Sequence, residues 1–195
     1  MTRILPVAGA LAALLALAAG CFSPATVQRM QQQSESYSIS PDFDLSRTWR
    51  VAVLPPSSAV DAGNMTGLAE HAGMMLMRTN KIALVDRSEV DRILEEQQFA
   101  SSGIVDPGTA ARLGRLMGAE AVMVTSVTTL KHDDFFSDSP DQRDAQLYVK
   151  LVSVETSQVL YYAQGTGSSF EGAAAALRSA TDVALAPLIR KGNGQ

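Results

Sequence analysis

The chain has 195 residues, with 20 acidic and 16 basic side chains and a net charge of −4. It contains no cluster of basic residues, so it lacks the electrostatic footprint that nucleic acid or an anionic lipid surface requires. A single cysteine and two histidines exclude a disulfide framework and make a histidine metal site or a catalytic triad difficult to build. The length suffices for one domain with a hydrophobic core.

The first twenty residues have the organisation of a secretory signal. Arg3 is followed by an apolar run from 4 to 17 and then by small residues that lead directly into Cys21. The run is too short for a permanent transmembrane helix. Small residues before a cysteine are typical of a bacterial lipobox, in which Cys21 is diacylated and becomes the mature N-terminus. The alternative is ordinary cleavage near Ala18, which would leave a free thiol.

Lipidation of Cys21 would determine where the protein resides. Acyl chains anchor a protein firmly although the polypeptide never crosses the bilayer. Phe22 occupies the position where an inner-membrane retention signal usually has Asp. We therefore expect the outer membrane, with the domain facing the periplasm.

Composition divides the rest of the chain. Residues 21–47 are polar and weakly patterned, as in a flexible tether that cannot bury enough apolar surface to fold. We expect a signal peptide at 1–20, a lipidated tether at 21–47, one folded domain at 48–190 and a disordered tail at 191–195.

Within 48–190, hydrophobic periodicity and turn signals predict alternating strands and helices. In chain order these are a strand at 50–54, a helix at 65–78, a strand at 82–85, helices beginning at Ser88 and at Asp106-Pro107, a strand at 121–127, a hairpin of 146–154 with 159–165, and a last helix capped by Ser168 with Glu171 and ended or bent at Pro187. This order favours a single α/β sandwich, in which a mixed sheet of about five strands packs with about four helices.

The loop at 131–144 has the densest acidic composition. Its carboxylates could hold calcium, but no EF-hand spacing supports this, and a solvated loop is the favoured interpretation. Phe135 and Phe136 lie within this loop. Adjacent aromatics there either form a docking tip for a partner or the lipid surface, or pack beneath the loop onto the core.

Two further patterns have both a functional and a structural interpretation. Residues 165–169, Gly-Thr-Gly-Ser-Ser, stand between a strand and a helix, where a phosphate-binding loop would lie. They lack the lysine of a P-loop, and a strand end with a helix cap explains them. Met74, Met75 and Met77 either form an adaptable binding face or fill the core. We predict no catalytic residue, no metal and no cofactor.

Several short segments of the sequence, taken in order, resemble those of the CsgG family of curli assembly and transport lipoproteins, and of the related LpoB-type activators of penicillin-binding proteins. The residues that carry this resemblance are the strand at 51–55, the strand and helix at 83–97, the segments 102–106 and 110–122, and the hairpin at 151–160 with its Glu155-Thr156-Ser157-Gln158 turn. The resemblance covers about 48–190. It implies a periplasmic domain that has no catalytic residues and is not an enzyme.

The sequence departs from the curli channel in two places. Such a channel inserts long hairpins with strands of about 9–11 lipid-facing residues, whereas the corresponding insertion here, 131–144, is short and charged. The channel also narrows at an aromatic loop, whereas 57–64 contains no aromatic residue. We therefore expect no transmembrane barrel.

These inferences lead to two functional hypotheses. The first is a non-enzymatic outer-membrane lipoprotein that binds an envelope protein as an assembly accessory or regulator, for example of a penicillin-binding protein that synthesises peptidoglycan. The alternative is a subunit or accessory of a curli-like secretion complex. A pore requires a closed homo-oligomeric ring, so the number of copies distinguishes the two.

Lipidation of Cys21 gives the first testable prediction. Cys21→Ser removes the thiol that would carry the lipid, so this variant is expected to move from the membrane to the soluble fraction. Cell fractionation with immunodetection measures the change. Unchanged membrane retention of the variant would show that the anchor lies elsewhere.

Overall fold

A computed structural model describes residues 36–59, 65–98, 105–132 and 142–194. The described residues form seven strands and four helices, which we number in chain order. They are β1 (Tyr37–Ile39), β2 (Trp49–Val53), β3 (Ser57–Ser58), α1 (Thr66–Met77), β4 (Ile82–Leu84), α2 (Arg87–Glu96), α3 (Pro107–Leu116), β5 (Ala121–His132), β6 (Arg143–Ser153), β7 (Val159–Ser169) and α4 (Ala173–Gly192).

All seven strands belong to one mixed sheet with the order β1-β7-β6-β5-β2-β4, and β3 pairs with β5. β2 runs parallel to β4 and β5, whereas β5, β6, β7 and β1 are successively antiparallel. The predicted α/β class and mixed sheet are therefore confirmed. The expected number of about five strands was too low, because β1 and β3, with three and two residues, are too short to show periodicity.

The N-terminal boundary of the folded domain lies earlier than residue 48. β1 pairs with β7, and Phe43 is only 5% exposed because its ring meets Trp49 edge-on at 5.2 Å. The Trp49 Nε1–H donates to the carbonyl oxygen of Asp44 at 2.7 Å. Residues 36–47 are thus part of the domain, and the prediction that they belong to the tether is wrong. These residues are mostly polar, so no periodic pattern revealed that Phe43 packs against Trp49 and anchors the segment.

Two helical layers cover the sheet. α1 and α4 pack on the inner face, where the core contains Val51, Leu76, Met123, Leu147, Val149, Leu151, Tyr161, Leu177, Ala184 and Leu188. α2 and α3 pack on the outer face, where the core contains Ala52, Leu54, Val85, Val90, Ile93, Leu94, Leu113, Val122, Val124 and Val152. The first half of β5 is buried on both faces, as its nearly continuous apolar sequence predicts.

The helix starts partly match their predicted caps. Asp106 accepts the N–H of Thr109 at 3.0 Å with Pro107 in the first turn, and Gly118 follows α3 at φ +61°, as predicted. For α2 the cap is Asp86, which accepts the N–H of Ser88 at 2.9 Å, so the predicted capping role of Ser88 is wrong.

The last helix differs from its prediction at both ends. Ser168 lies within β7, so its predicted role as the helix cap is wrong. The N-cap residue of α4 is Gly172, which has φ +105° and no side chain that could accept a hydrogen bond. Pro187 does not end the helix, which continues to Gly192, two residues beyond the predicted domain boundary. Pro187 has no N–H to donate to the carbonyl oxygen of Val183, one turn earlier. The residues buried before and after it, Ala184, Leu185 and Leu188, hold this part of α4 against the core.

Two glycines bring α4 into direct backbone contact with β7. A Cβ atom at Gly165 would lie 1.9 Å from the carbonyl oxygen of Ala180, and one at Gly167 would lie 2.4 Å from that of Ala176. Residues 165–167 belong to β7 and pair with β6, and at Gly165 and Gly167 no side chain would fit between this strand and the helix. These glycines have a packing role.

This contact predicts a large effect of a single methyl group. Gly165→Ala would push α4 away from β7 and is expected to reduce the free energy of unfolding by about 3 kcal/mol. Thr166→Ala, at the neighbouring exposed position of the same strand, is the matched control and should change it by less than about 0.5 kcal/mol. Urea unfolding measures both, and equal effects would contradict the close approach.

Glu120 gives a pH-dependent prediction. Its carboxylate accepts the N–H of Arg50 and pairs with Arg47, and these contacts lower the pKa of Glu120. The pKa of Glu120 is lower in the folded state than in the unfolded state, where it is about 4.3. The ionised carboxylate therefore stabilises the fold at pH values above about 4.3, and this stabilisation is lost as the pH falls through the folded-state pKa. Glu120→Gln should therefore lower Tm at pH 7, by an amount corresponding to less than about 1 kcal/mol, and the deficit should narrow below about pH 4.3. A deficit that stays constant in acid would contradict this assignment.

Candidate binding surfaces

The predicted site residues Cys21, Phe135 and Phe136 lie outside the described residues. The acidic residues from Asp133 to Asp141 also lie outside them, so the calcium alternative remains open. At the described end of this loop, Asp144 belongs to β6 and accepts a hydrogen bond from the Gln142 side chain at 3.0 Å.

Several of the described polar residues make contacts within the fold. His71 Nε2 lies 2.7 Å from Asp182 Oδ1, which links α1 to α4. In the part of the chain that the structure describes, no three His, Cys, Asp or Glu side chains are grouped as a metal site would require. The segment 165–169, considered as a phosphate loop, belongs to β7 and pairs with β6 along its length, so it has the extended geometry of a strand and not that of a loop.

A groove opens at the β4 edge of the sheet, between α1 and α2, with a volume of about 360 Å³. Its lining is mainly apolar and consists of Val53, Ala69, Gly73, Met74, Met77, Leu84, Val85 and Val90, with Glu70, Asp86 and Arg87 as its polar members. Met74 and Met77 are 60% and 57% exposed. Methionine has a flexible, polarizable side chain, so the groove can adapt to the shape of a group that enters it.

The packing of α1 explains this groove. A Cβ atom at Gly73 would lie 3.0 Å from Leu84 Cδ1, so the glycine brings α1 close to β4. Met75 is buried on the inner side of the helix, whereas Met74 and Met77 point outward. The core alternative thus holds for Met75, whereas for the exposed Met74 and Met77 the binding face stays a prediction. Sequence reasoning missed Gly73 and Leu84, because only the tertiary contact places them together.

The charges around the groove are partly compensated. Hydrogen bonds from Ser88 lower the pKa of Asp86, which keeps this N-cap ionised. Arg87 forms an ion pair with Asp91 at 2.9 Å. Arg78, one helical turn after Met74, is exposed, and its guanidinium forms no ion pair with another described residue.

A second surface is the outer face of β6 and β7. α2 and α3 pack on Val122, Val124 and Val152, and farther along the sheet the outward side chains are polar and partly exposed. Tyr148 and Tyr162 stack there with ring centroids 5.6 Å apart and planes at 2°. We call this surface the tyrosine face.

Polar groups surround the two tyrosines. Lys150 Nζ lies 5.3 Å from the ring centre of Tyr162, on which it makes a cation–π contact. An open cavity of about 450 Å³ lies beside them, lined by Lys150, Tyr162, Val159, Ser38 and Ser40. Burial, and next the nearby Tyr148, raise the pKa of Tyr162, so its phenol is neutral at physiological pH.

Phe170 is the third exposed feature. It lies in the turn between β7 and α4, is 68% exposed, and is followed by the exposed Glu171. The Glu171 N–H donates to Ser169 Oγ at 3.0 Å, which holds the turn. No periodic pattern identified this residue, because a single aromatic in a turn has no repeat.

These surfaces are suited to binding, since they combine apolar, aromatic and hydrogen-bonding groups.

None of the helices in the described residues has the length and apolarity needed to cross a bilayer.

The fold is similar to that of several solved proteins. A PelC dodecamer structure from Paraburkholderia phytofirmans superposes with a TM-score of 0.53 at 15% identity, covering 78% of this chain and 96% of that chain. The lipoprotein GNA1162 from Neisseria meningitidis gives 0.49 at 15% identity, covering 62% and 83%. The LpoB C-terminal domain from Salmonella enterica gives 0.45 at 15% identity, covering 62% and 82%.

At the level of sequence, no curated protein matches the chain. The family model for the curli production assembly/transport component CsgG matches residues 24–186, which is most of the chain and includes all seven strands of the described sheet. This match confirms the resemblance to the CsgG family that the short sequence segments indicated. The chain belongs to the CsgG family.

Proposed function

We propose that this chain is a non-enzymatic outer-membrane lipoprotein whose periplasmic domain binds another envelope protein. In this role it serves as an assembly accessory or regulator, for example of a peptidoglycan synthase. The observation that carries the proposal is the tyrosine face, where stacked aromatic rings and a lysine lie on a sheet surface left open by the helices.

The chemistry of this face is that of a protein-binding surface. Tyrosine combines a large apolar area with a hydroxyl group and few rotatable bonds, and it is enriched where interfaces bind most strongly. The stacking of Tyr148 on Tyr162 and the contact of Lys150 with Tyr162 hold these side chains in place before a partner arrives. A preordered surface loses less conformational entropy on binding.

The arrangement of the polar groups also supports a role without catalysis. Within the described residues, the His71 side chain is hydrogen-bonded to Asp182 and to no serine, threonine or cysteine that could act as a nucleophile, and Arg92 pairs with Glu89 and Glu96 along the exposed side of α2. A general base needs a nearby proton donor or nucleophile to act on. Family membership agrees, since the resemblance implied a domain without catalytic residues.

The second candidate function is a subunit or accessory of a curli-like secretion complex. The similar PelC structure is a dodecamer, and this chain covers 96% of that chain. Light scattering coupled to size-exclusion chromatography of the detergent-extracted protein distinguishes the two functions. A monomer or dimer favours the regulator, and a ring of several copies favours secretion.

The tyrosine face makes a direct prediction. A photoreactive benzoylphenylalanine in place of Tyr148, in the full-length chain in cells, is expected to form an adduct with one envelope protein of defined mass. Val183, 40% exposed on α4, provides the matched position away from this face. Tyr162→Ser should reduce the adduct at 148 because it removes the stacked ring.

Two results would contradict the proposal. One is the absence of an adduct at position 148. The other is the same set of adducts at 148 and 183, which would indicate random collision. Mass spectrometry of the adduct identifies the partner, and a penicillin-binding protein would support the regulatory example.

A further inference from the structure

The edge of β7 that lies away from β6 is only partly covered. β1 pairs with residues 161–163 of this strand, and just beyond them the N–H of Gln164 donates to the carbonyl oxygen of Ser36 at 2.8 Å. β7 continues to Ser169, and no other described residue pairs with this edge between 165 and 169. We call this part of the strand the open edge.

The pairing of β7 shows which backbone groups lie on the open edge. In an antiparallel pair, residues that bond to one neighbouring strand alternate with residues that bond to the other. Gln164 bonds to the β1 side, and the register with β6 is regular along this part of β7. The N–H and C=O groups of Thr166 and Ser168 therefore point to the open edge, whereas those of Gly165 and Gly167 point to β6.

The open edge lacks the features that usually keep a strand from pairing with another chain. Native sheets protect their edges with lysine, proline, bulges or a covering element. Residues 164–169 read Gln-Gly-Thr-Gly-Ser-Ser, without charge or proline, and their pairing with β6 contains no bulge. α4 packs on the face of β7, through its contacts with the two glycines. The open edge is therefore a template for an extended polypeptide.

The open edge continues the tyrosine face. Side chains alternate between the two faces of a strand, so Thr166 and Ser168 point to the same face as Tyr162, and both are exposed. Thr166 lies four residues beyond Tyr162, about 13 Å along the strand. Phe170, which is 68% exposed, follows the far end of the strand. A protein bound at the tyrosine face is thus within reach of the open edge, which has an exposed aromatic side chain at each end.

We propose that the envelope partner adds an extended segment to the sheet as a strand beside β7, at residues 165–169. The inference rests on the proposed function, because the partner is the same protein that binds the tyrosine face. The alternating N–H and C=O groups of a strand edge match another extended backbone, which supplies affinity through main-chain hydrogen bonds. The segment has no proline at the paired positions, since proline has no N–H to donate.

Amide hydrogen exchange of the isolated full-length chain tests whether the edge is open. The N–H groups of Thr166 and Ser168 should exchange at least about tenfold faster than those of Gly165 and Gly167, which donate to β6. NMR resolves the four signals. Equal rates would contradict the alternation, and slow exchange at Thr166 and Ser168 would show that the edge is already covered. Either result overturns the inference.

Crosslinking in cells tests whether the partner uses the backbone of this edge. Benzoylphenylalanine in place of Ser168 is expected to form an adduct with the protein that is captured from position 148. Thr166→Pro removes an N–H from the open edge and none from the pairing with β6, and Gly165 before it tolerates the proline ring. This variant should reduce the adduct at 168 at least about tenfold, because the partner loses a hydrogen bond and keeps an unpaired carbonyl group.

Thr166→Ala is the matched variant, because it removes the side chain and keeps the N–H. The tenfold difference in adduct should therefore separate proline from alanine at this position. Circular dichroism melting checks the fold of each variant. Should Thr166→Pro fail to fold, the same comparison is made between Ser168→Pro and Ser168→Ala, with the photoreactive residue in place of Phe170.

Three results of the crosslinking would overturn the strand addition. They are no adduct at 168, equal adducts from the proline and alanine variants, and an adduct whose second component is another copy of this chain. If the adduct at 148 is intact in these cases, the proposed function stands. An adduct at 168 that proline abolishes, without any adduct at 148, would instead overturn the tyrosine face as the binding surface and leave the strand addition standing.

Discussion

The close packing of α4 on β7 is the constraint on which the rest of the structure depends. Gly165 and Gly167 remove the side chains that would separate strand from helix, and the alanines of α4 match them on the other side. The hydroxyl of Tyr161 donates to the carbonyl oxygen of Ala184, so a buried polar group is satisfied at the same interface. A long helix is thereby fixed across the inner face, where α1 packs beside it.

This arrangement leaves the two faces of the sheet unequally covered. The inner face is packed along its length, whereas on the outer face the cores of α2 and α3 reach β5 and the end of β6. The antiparallel strands β6 and β7 therefore retain one polar side, which is the usual condition of an antiparallel sheet. The tyrosine face follows from this uneven covering, and the groove follows from the space between two helical layers at the β4 edge.

The sequence predicted the central elements because each had a strong local signal. The continuous apolar run of β5, the Asp106-Pro107 start of α3 and the stripe of buried residues along α4 all appear in the structure as expected. The errors occurred where local signals were short or ambiguous. β1 has three residues, and its strand conformation depends on β7, which lies more than a hundred residues away.

The sequence by itself determined the class of fold, the family and the absence of a recognisable catalytic motif, because these depend on hydrophobic periodicity, capping residues and the order of short sequence motifs. Only the tertiary structure decided which surfaces are exposed. The methionines of α1 have nearly the same local context, yet Met75 is buried while Met74 and Met77 line a groove. Exposure depends on which elements pack together, and no local pattern encodes the distance between Gly73 and Leu84 or the stacking of Tyr148 on Tyr162.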